Sequence, residues 1–374
     1  MRVVHVIKVT GIAGAERHLL TLLPALQERG VEVHLVPLTE PDNPVADFVN
    51  ALQEREVTVH PMVIRHDADI RMAWRLRDLF RQSAPDIVHT HLLHADLYGI
   101  PGAKLAGVPV IITGRHNDNA FRRRFPVRQI NQGLWRLVDA GIAISDSIAR
   151  FAREIEGAPA AKVHRIYYGL DFDPHAVDRN ESRRALRDDL RLAPETPLVG
   201  IVCRLVEQKG LVYGLRAFSK AAAESPAHLV IAGDGPLRAA LEAEAQTLGI
   251  ADRVHFLGWR DDVPHLMAAL DVFLLPSLWE GFGLVLLEAM AQQTPIVASA
   301  VSAIPEIVID GQTGLLAPPR AVDGLTGALL RLLSDLPLAR HLGLMGQERL
   351  ETTFSARAMI EATHELYREL LKNR

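Results

Sequence analysis

Val272-Phe-Leu-Leu-Pro-Ser-Leu-Trp-Glu280-Gly-Phe-Gly283-Leu-Val-Leu-Leu-Glu288-Ala-Met-Ala291 passes from an apolar strand, through a loop of glycines and aromatics, into a helix whose first turns are almost wholly aliphatic. The strand ends in a helix N-terminus, which is the unit from which parallel sheets are built. Two carboxylates mark it. Glu280 sits in the loop, and Glu288 interrupts the aliphatic run, where an ionised side chain is costly without a partner. A buried carboxylate on so apolar a helix calls for hydroxyls or cations, and a sugar and a ribose supply hydroxyls.

Outward from this stretch the same alternation recurs. Toward the N-terminus the chain reads as strand 198–203, helix 211–224, strand 228–232, helix 236–248, strand 253–257, helix 262–269 and strand 271–275. Beyond helix 283–293 comes strand 295–299, and helices dominate from 321. The first half repeats the pattern with strands at 2–8, 31–38, 57–61, 86–90, 108–113 and 139–144. Between the halves lies a charge-rich gap after Gly169-Leu-Asp171-Phe-Asp173-Pro174. The expectation is an α/β chain of two facing, doubly wound, Rossmann-like domains, 1–172 and 173–355. A last helix, 356–374, is long enough to cross back to the first domain. Facing domains of this kind hold ligands in a cleft at the carboxyl ends of their strands.

Composition limits the partners. The 374 residues carry a net charge of −4, 48% hydrophobic and 23% charged residues, so a packed core is available and bulk nucleic-acid binding is not expected. A single cysteine, Cys203, allows neither an internal disulfide nor a multi-cysteine metal site. It lies on an apolar strand without an evident base, which reads as a packed thiol. No run approaches the roughly 20 apolar residues of a membrane span. The opening residues read as a strand and not a signal peptide. The expected location is cytoplasmic.

Several strand ends carry candidate chemistry. Arg204 and Lys209 bracket a strand-to-helix turn, where a guanidinium and an ammonium can clamp a diphosphate. Phe282, Gly283 and Leu284 present backbone N–H groups at a helix start. Gly233, in Ala232-Gly-Asp-Gly-Pro236, forms a third loop at the same rim. Phe256 and Leu257, near the end of the following strand, offer backbone to a nucleotide base. In the first half, Gly14 lies in a turn after the first strand. Its spacing does not fit a nicotinamide-binding G-x-G-x-x-G, although Glu40 could supply the usual acid. His116 follows a strand and is expected to face the cleft, with a ring able to meet a sugar hydroxyl.

Other features are weaker. His89, His91 and His94 share a strand end, but no carboxylate completes a convincing ligand set, and no metal or other cofactor is assigned. Asp171-Phe-Asp173 has the form of a cation-holding pair, but it falls at the domain junction. Arg122, Arg123 and Arg124, flanked by Phe121 and Phe125 and followed by Arg128, form the one strong basic cluster. Solvated loop is its usual meaning; its functional alternative is an anionic acceptor or peripheral contact with the inner membrane face.

Taken together, these residues resemble the retaining family 4 glycosyltransferases of the GT-B fold, over essentially the whole chain. Glu280 to Glu288 matches the family's E-x7-E motif, and Arg204 with Lys209 its phosphate-clamping pair. Gly14-Ala15-Glu16 matches the end of its G-G-A-E turn, and His116 its first-domain histidine. The resemblance implies a nucleotide diphosphate sugar donor, a glycan or lipid-linked acceptor and metal-independent transfer. It further implies that Glu280 engages the donor sugar, that Glu288 holds the ribose, and that Arg204 and Lys209 stabilise the departing diphosphate. Two positions depart from the pattern: Ala13 replaces a glycine, and Tyr168 stands where asparagine is common. The alternatives are a non-catalytic sugar-nucleotide binder on the same scaffold and a metal-dependent single-domain transferase.

Overall fold

A computed structural model describes residues 1–43, 45–65 and 69–374. The chain divides into two compact units, Met1–Asp171 with Ser355–Arg374, and Phe172–Phe354.

The first unit is built on a parallel sheet. Its strands are β1 (Arg2–Lys8), β2 (Glu32–Thr39), β3 (Thr58–Val59), β4 (Met62–Val63), β5 (Ile87–His91), β6 (Val110–Arg115), β7 (Ala140–Ala143) and β8 (Val163–Arg165). Their order is β3-β2-β1-β5-β6-β7-β8, with β4 also on β2. Near-continuous Val and Ile runs in β1 and β6 suit strands covered on both faces, and both are buried along most of their length. The final helix, Ala356–Lys372, packs within this unit, where Tyr367 is wholly buried.

The second unit contains β9 (Leu198–Val202), β10 (His228–Ala232), β11 (Val254–Gly258), β12 (Val272–Leu275), β13 (Ile296–Ser299) and β14 (Leu315–Ala317), ordered β11-β10-β9-β12-β13-β14. In each sheet the order reverses once, between β1 and β5 and between β9 and β12. Ligands of doubly wound sheets bind at such switch points, beyond the carboxyl ends of the strands.

Two helices were not expected. Arg179–Asp189 fills much of the charge-rich gap. Asp178 caps it by accepting the N–H groups of Asn180 and Glu181, and its Arg187 reaches Asp271 at 2.7 Å. Val127–Leu137 follows the arginine run and turns Leu134 and Trp135 inward.

Candidate functional site

At the switch point of the second unit, backbone contacts sew four loops together. Leu205 donates its N–H to Asp234, Gly233 to Gly258, and Leu278 to Gln208. Glycine is required where these loops touch. Gly233 has φ +125°, and a Cβ there would lie 1.9 Å from the Cys203 carbonyl oxygen. Gly210 has φ +60°, and a Cβ there would lie 2.1 Å from that of Pro276. Left-handed backbone and close approach both exclude a side chain.

This stitching brings Lys209, after β9, to Glu280, after β12. The ammonium lies 2.5 Å from Glu280 Oε2, and the Ser277 hydroxyl lies 3.4 Å from the same oxygen. Glu280 is 8% exposed, so its charge is compensated in place. Arg204 is exposed on the same turn as Lys209. Cys203 feels Lys209, Glu280 and Arg204, but burial dominates and pushes its thiol up to about 12. It is inert as a nucleophile.

Gly283 precedes the helix Leu284–Ala291 with φ +98°, its carbonyl accepts the Leu286 N–H at 2.9 Å, and the helix N-terminus faces the loop. Phe282 is buried in the core beside Phe354, and Leu284 is half-buried. Glu288 requires a correction. It is partly buried and shares the less covered side of the helix with Leu284 and Val285, while Leu286, Leu287, Ala289 and Met290 are fully buried. The helix is apolar nearly all round, but its carboxylate lies on the less covered side and is not sunk in the core. Phe256 and Leu257 lie on edge strand β11. Pairing with β10 jumps from Ile231–Phe256 to Ala232–Gly258, which leaves Leu257 in a bulge.

In the first unit, Gly14 opens the helix Gly14–Gln27 in an exposed position, and the Glu16 carboxylate accepts the Ala13 N–H at 3.0 Å. His116 belongs to a cluster at the β1/β5 switch point. Parallel register sets His5 opposite His89 and places His91 opposite Gly114. His5 Nδ1 lies 3.0 Å from His91 Nε2, and His91 Nδ1 lies 3.0 Å from His116 Nε2. His116 Nδ1 meets the Tyr168 hydroxyl, and His89 Nδ1 meets that of Tyr367 at 2.7 Å. Burial, reinforced by neighbouring histidines and arginines, holds His89, His91 and His116 neutral far below the ordinary histidine range and lowers His5 to about 3. His94 lies on the next helix outside this group.

The basic run also requires a correction. Arg122 is 1% exposed and pairs with buried Glu156 at 2.5 Å. Glu156 further accepts Arg115 Nε at 2.7 Å and Trp135 Nε1 at 3.2 Å, and Arg115 closes the network on Asp96. Burial alone would raise the Glu156 carboxyl, but the two guanidinium groups outweigh it and hold it below the ordinary range. Arg123 lies over the Phe151 ring, while Arg124, Arg128 and Phe125 face outward, Phe125 with 80% exposure. Arg123 and Phe121 are exposed as well, so of the run only Arg122 is withdrawn from the surface. Among the described residues, no helix is long and apolar enough to cross a membrane.

Sequence reasoning overlooked Ser277, Gln208, which bonds the Trp279 carbonyl at 3.1 Å, and His5. Their places depend on strand register and loop contact.

Comparison with known proteins agrees with this architecture. Residues 182–349 match the family described as "Glycosyl transferases group 1", and residues 12–174 match "Glycosyltransferase Family 4". A glycogen synthase of Mycobacterium tuberculosis is 31% identical over 316 residues, covering 80% of this chain and 73% of its own. N-acetyl-alpha-D-glucosaminyl L-malate synthase of Bacillus anthracis is 26% identical over 97% of this chain and 94% of its own. The crystal structure of Anabaena Alr3699/HepE, in complex with UDP and glucose, superposes with a TM-score of 0.86 at 21% identity, over 99% of this chain and all of that one.

Proposed function

This chain belongs to the family 4 glycosyltransferases of the GT-B fold, and from that membership we propose that it moves a sugar from a nucleotide diphosphate sugar to a glycan, lipid-linked saccharide or small-molecule acceptor, with retention of configuration and without a metal ion. The observation that carries the reading is the Lys209–Glu280 pair at the β9/β12 switch point, with Arg204 on the same turn. A leaving diphosphate gains negative charge as the sugar bond breaks. Two cations and a helix N-terminus at the switch point stabilise that charge. The incoming diphosphate competes with Glu280 for the Lys209 ammonium. Its arrival frees the carboxylate for the sugar hydroxyls. Glu288, on the less covered side of its helix, serves the ribose. Gly233, Gly283 and the bulge at Leu257 supply backbone to phosphates and base.

Relatives support a nucleotide-sugar donor: structures of Anabaena Alr3699/HepE are described with UDP and with UDP-glucose. A membrane-borne acceptor would be met by Arg123, Arg124, Arg128 and Phe125, with Arg122 left out because it is committed to Glu156. The deciding experiment assays UDP-, GDP- and ADP-sugars for transfer and donor hydrolysis, with and without EDTA. Turnover with one donor that persists in EDTA supports the reading. Nucleotide binding without turnover would identify a non-catalytic binder, and turnover abolished by EDTA would refute metal independence.

A further inference from the structure

The three nitrogens that His5, His89 and His91 bring within 4.8 Å of one another suggest a metal site at first sight, but their directions argue otherwise. His5 and His91 have almost parallel rings, 8° apart, with centres 5.3 Å apart and facing nitrogens 3.0 Å apart. Ring centres that far apart require the two nitrogens to lie on the line joining them, which is the geometry of a straight hydrogen bond. An ion between two facing imidazole nitrogens needs them about 4 Å apart, at a metal–nitrogen distance of about 2 Å. His91 and His116 repeat the arrangement, at 3.0 Å with ring centres 5.2 Å apart. His91 therefore spends both nitrogens on neighbouring rings.

Neutral imidazole has one N–H and one lone pair, so every link in such a chain must point the same way. With protons on Nδ1, the chain runs from His5 through His91 and His116 to the Tyr168 oxygen. With protons on Nε2, it runs in reverse and ends on a His5 Nε2–H. That nitrogen is buried and has no hydrogen-bond partner among the described residues. A buried orphan donor is the less tolerated of the two ends. The first direction is therefore selected.

We infer that His5 and His91 on one side and Tyr168 on the other lock His116 in its Nδ1-protonated tautomer, so that His116 stands as a fixed neutral ring and cannot act as a proton acceptor in transfer. Its lone pair takes the His91 N–H, and its own N–H goes to Tyr168. The chain ends blind at His5 and so has no exit for a proton. It holds a tautomer in place. His91 and Tyr168 are positioning residues. Gly114 makes the lock possible, because a Cβ there would stand 2.6 Å from His116 Nε2 and 2.9 Å from His91 Nδ1. The groups that bear on His116 from the surrounding elements are His18, whose ring also stacks on Tyr168, with Arg115 and Arg122, while Glu16 bears on Tyr168.

The assignment of a role in transfer rests on the proposed function, but the tautomer does not, and the test separates them. Long-range proton–nitrogen spectra of the whole protein, labelled at histidine nitrogens, are recorded from about pH 6 to pH 8, spanning the ordinary histidine value near 6.5. We expect neutral, Nδ1-protonated rings for His5, His91 and His116 throughout. Tyr168→Phe removes only the outer acceptor, and Gly114→Ala wedges the His91–His116 link without removing a titratable group. In either variant the His116 signals should move toward a tautomer mixture. Its rate, where transfer is measured, should acquire a histidine-type bend with pH that the wild type lacks. An Nε2-protonated or charged His116 in the wild type overturns the inference, as do spectra unchanged in Tyr168→Phe, or a wild-type kcat/KM that follows one histidine titration. Absence of transfer with the expected spectra would instead refute only the functional reading.

Discussion

Lys209 and Glu280 lie 2.5 Å apart although 71 residues separate them, because β9 and β12 are neighbours in the sheet while β10 and β11 are laid down on the other side of β9. The pair is thus a product of strand order. Each member compensates the other in a poorly hydrated loop, and a diphosphate offers Lys209 a competing partner.

Lys209→Ala should therefore lower kcat by about 10²-fold or more, as loss of a transition-state charge partner does. Glu280→Gln should do likewise. The double variant should lose less than the product of the two, because the groups are coupled. Steady-state kinetics with the preferred donor checks this. Full activity in both single variants would remove the pair from the mechanism.

Gly233→Ala should abolish nucleotide protection against thermal unfolding and destabilise the second unit by about 1–3 kcal/mol, from left-handed backbone strain together with the clash on Cys203. Thermal shift with and without UDP, GDP and ADP measures both effects.

Glu156→Gln should be among the most destabilising single substitutions in the first unit. It leaves Arg115 and Arg122 buried without their shared carboxylate, which typically costs about 3–5 kcal/mol. Urea unfolding followed in the first unit should show the loss. A change within about 0.5 kcal/mol would mean that the network contributes little.

Acid should weaken the first unit well before its carboxylates titrate. The unfolded chain binds a proton at His5 near 6.5, whereas the folded chain does not until about 3. The stability due to keeping His5 neutral is present above 6.5 and is lost as pH falls from there toward 3. For His5 alone the loss at about pH 5 amounts to about 2 kcal/mol. Urea midpoints near pH 7.5 and pH 5 should diverge in the wild type and converge partly in His5→Leu. His89, His91 and Tyr367, which pack around His5, remain in that variant.

The basic run makes a contrast possible between close neighbours. Arg124→Glu with Arg128→Glu should reduce sedimentation with anionic vesicles and leave the melting temperature unchanged. Arg122→Ala should lower the melting temperature instead, because it strips a partner from Glu156. Unaltered sedimentation in the first variant would leave the loop without a membrane role.

The fold was legible because both halves alternate apolar strands with helices at short spacing, and strand-end glycines announced the loops. What escaped depends on distance along the chain. Arg122 looked solvated beside Arg123 and Arg124, and only Glu156, 34 residues away, explains its burial. His89 and His91 were visible as neighbours, but His5 joins them through the β1–β5 register, which no local pattern records. The helix Arg179–Asp189 was hidden by its charge, with Ser182, Leu186 and Arg187 as its buried side. Glu288 was misjudged because the residues around it are aliphatic on every side, although only some of them turn inward.

The return of the chain to its first unit has a consequence for synthesis. Ser355 bridges Leu170, the Gly169 N–H meets the Met359 sulfur at 3.1 Å, and Tyr367 answers His89 in the core. The second unit is thus an uninterrupted insertion, free to fold as soon as Phe354 leaves the ribosome. The first unit, begun earlier, must wait roughly 10–40 s for its closing helix at about 5–20 residues per second. Until then His89 and the apolar floor beneath Tyr367 are uncovered, so the part of the protein made first is the last to be finished.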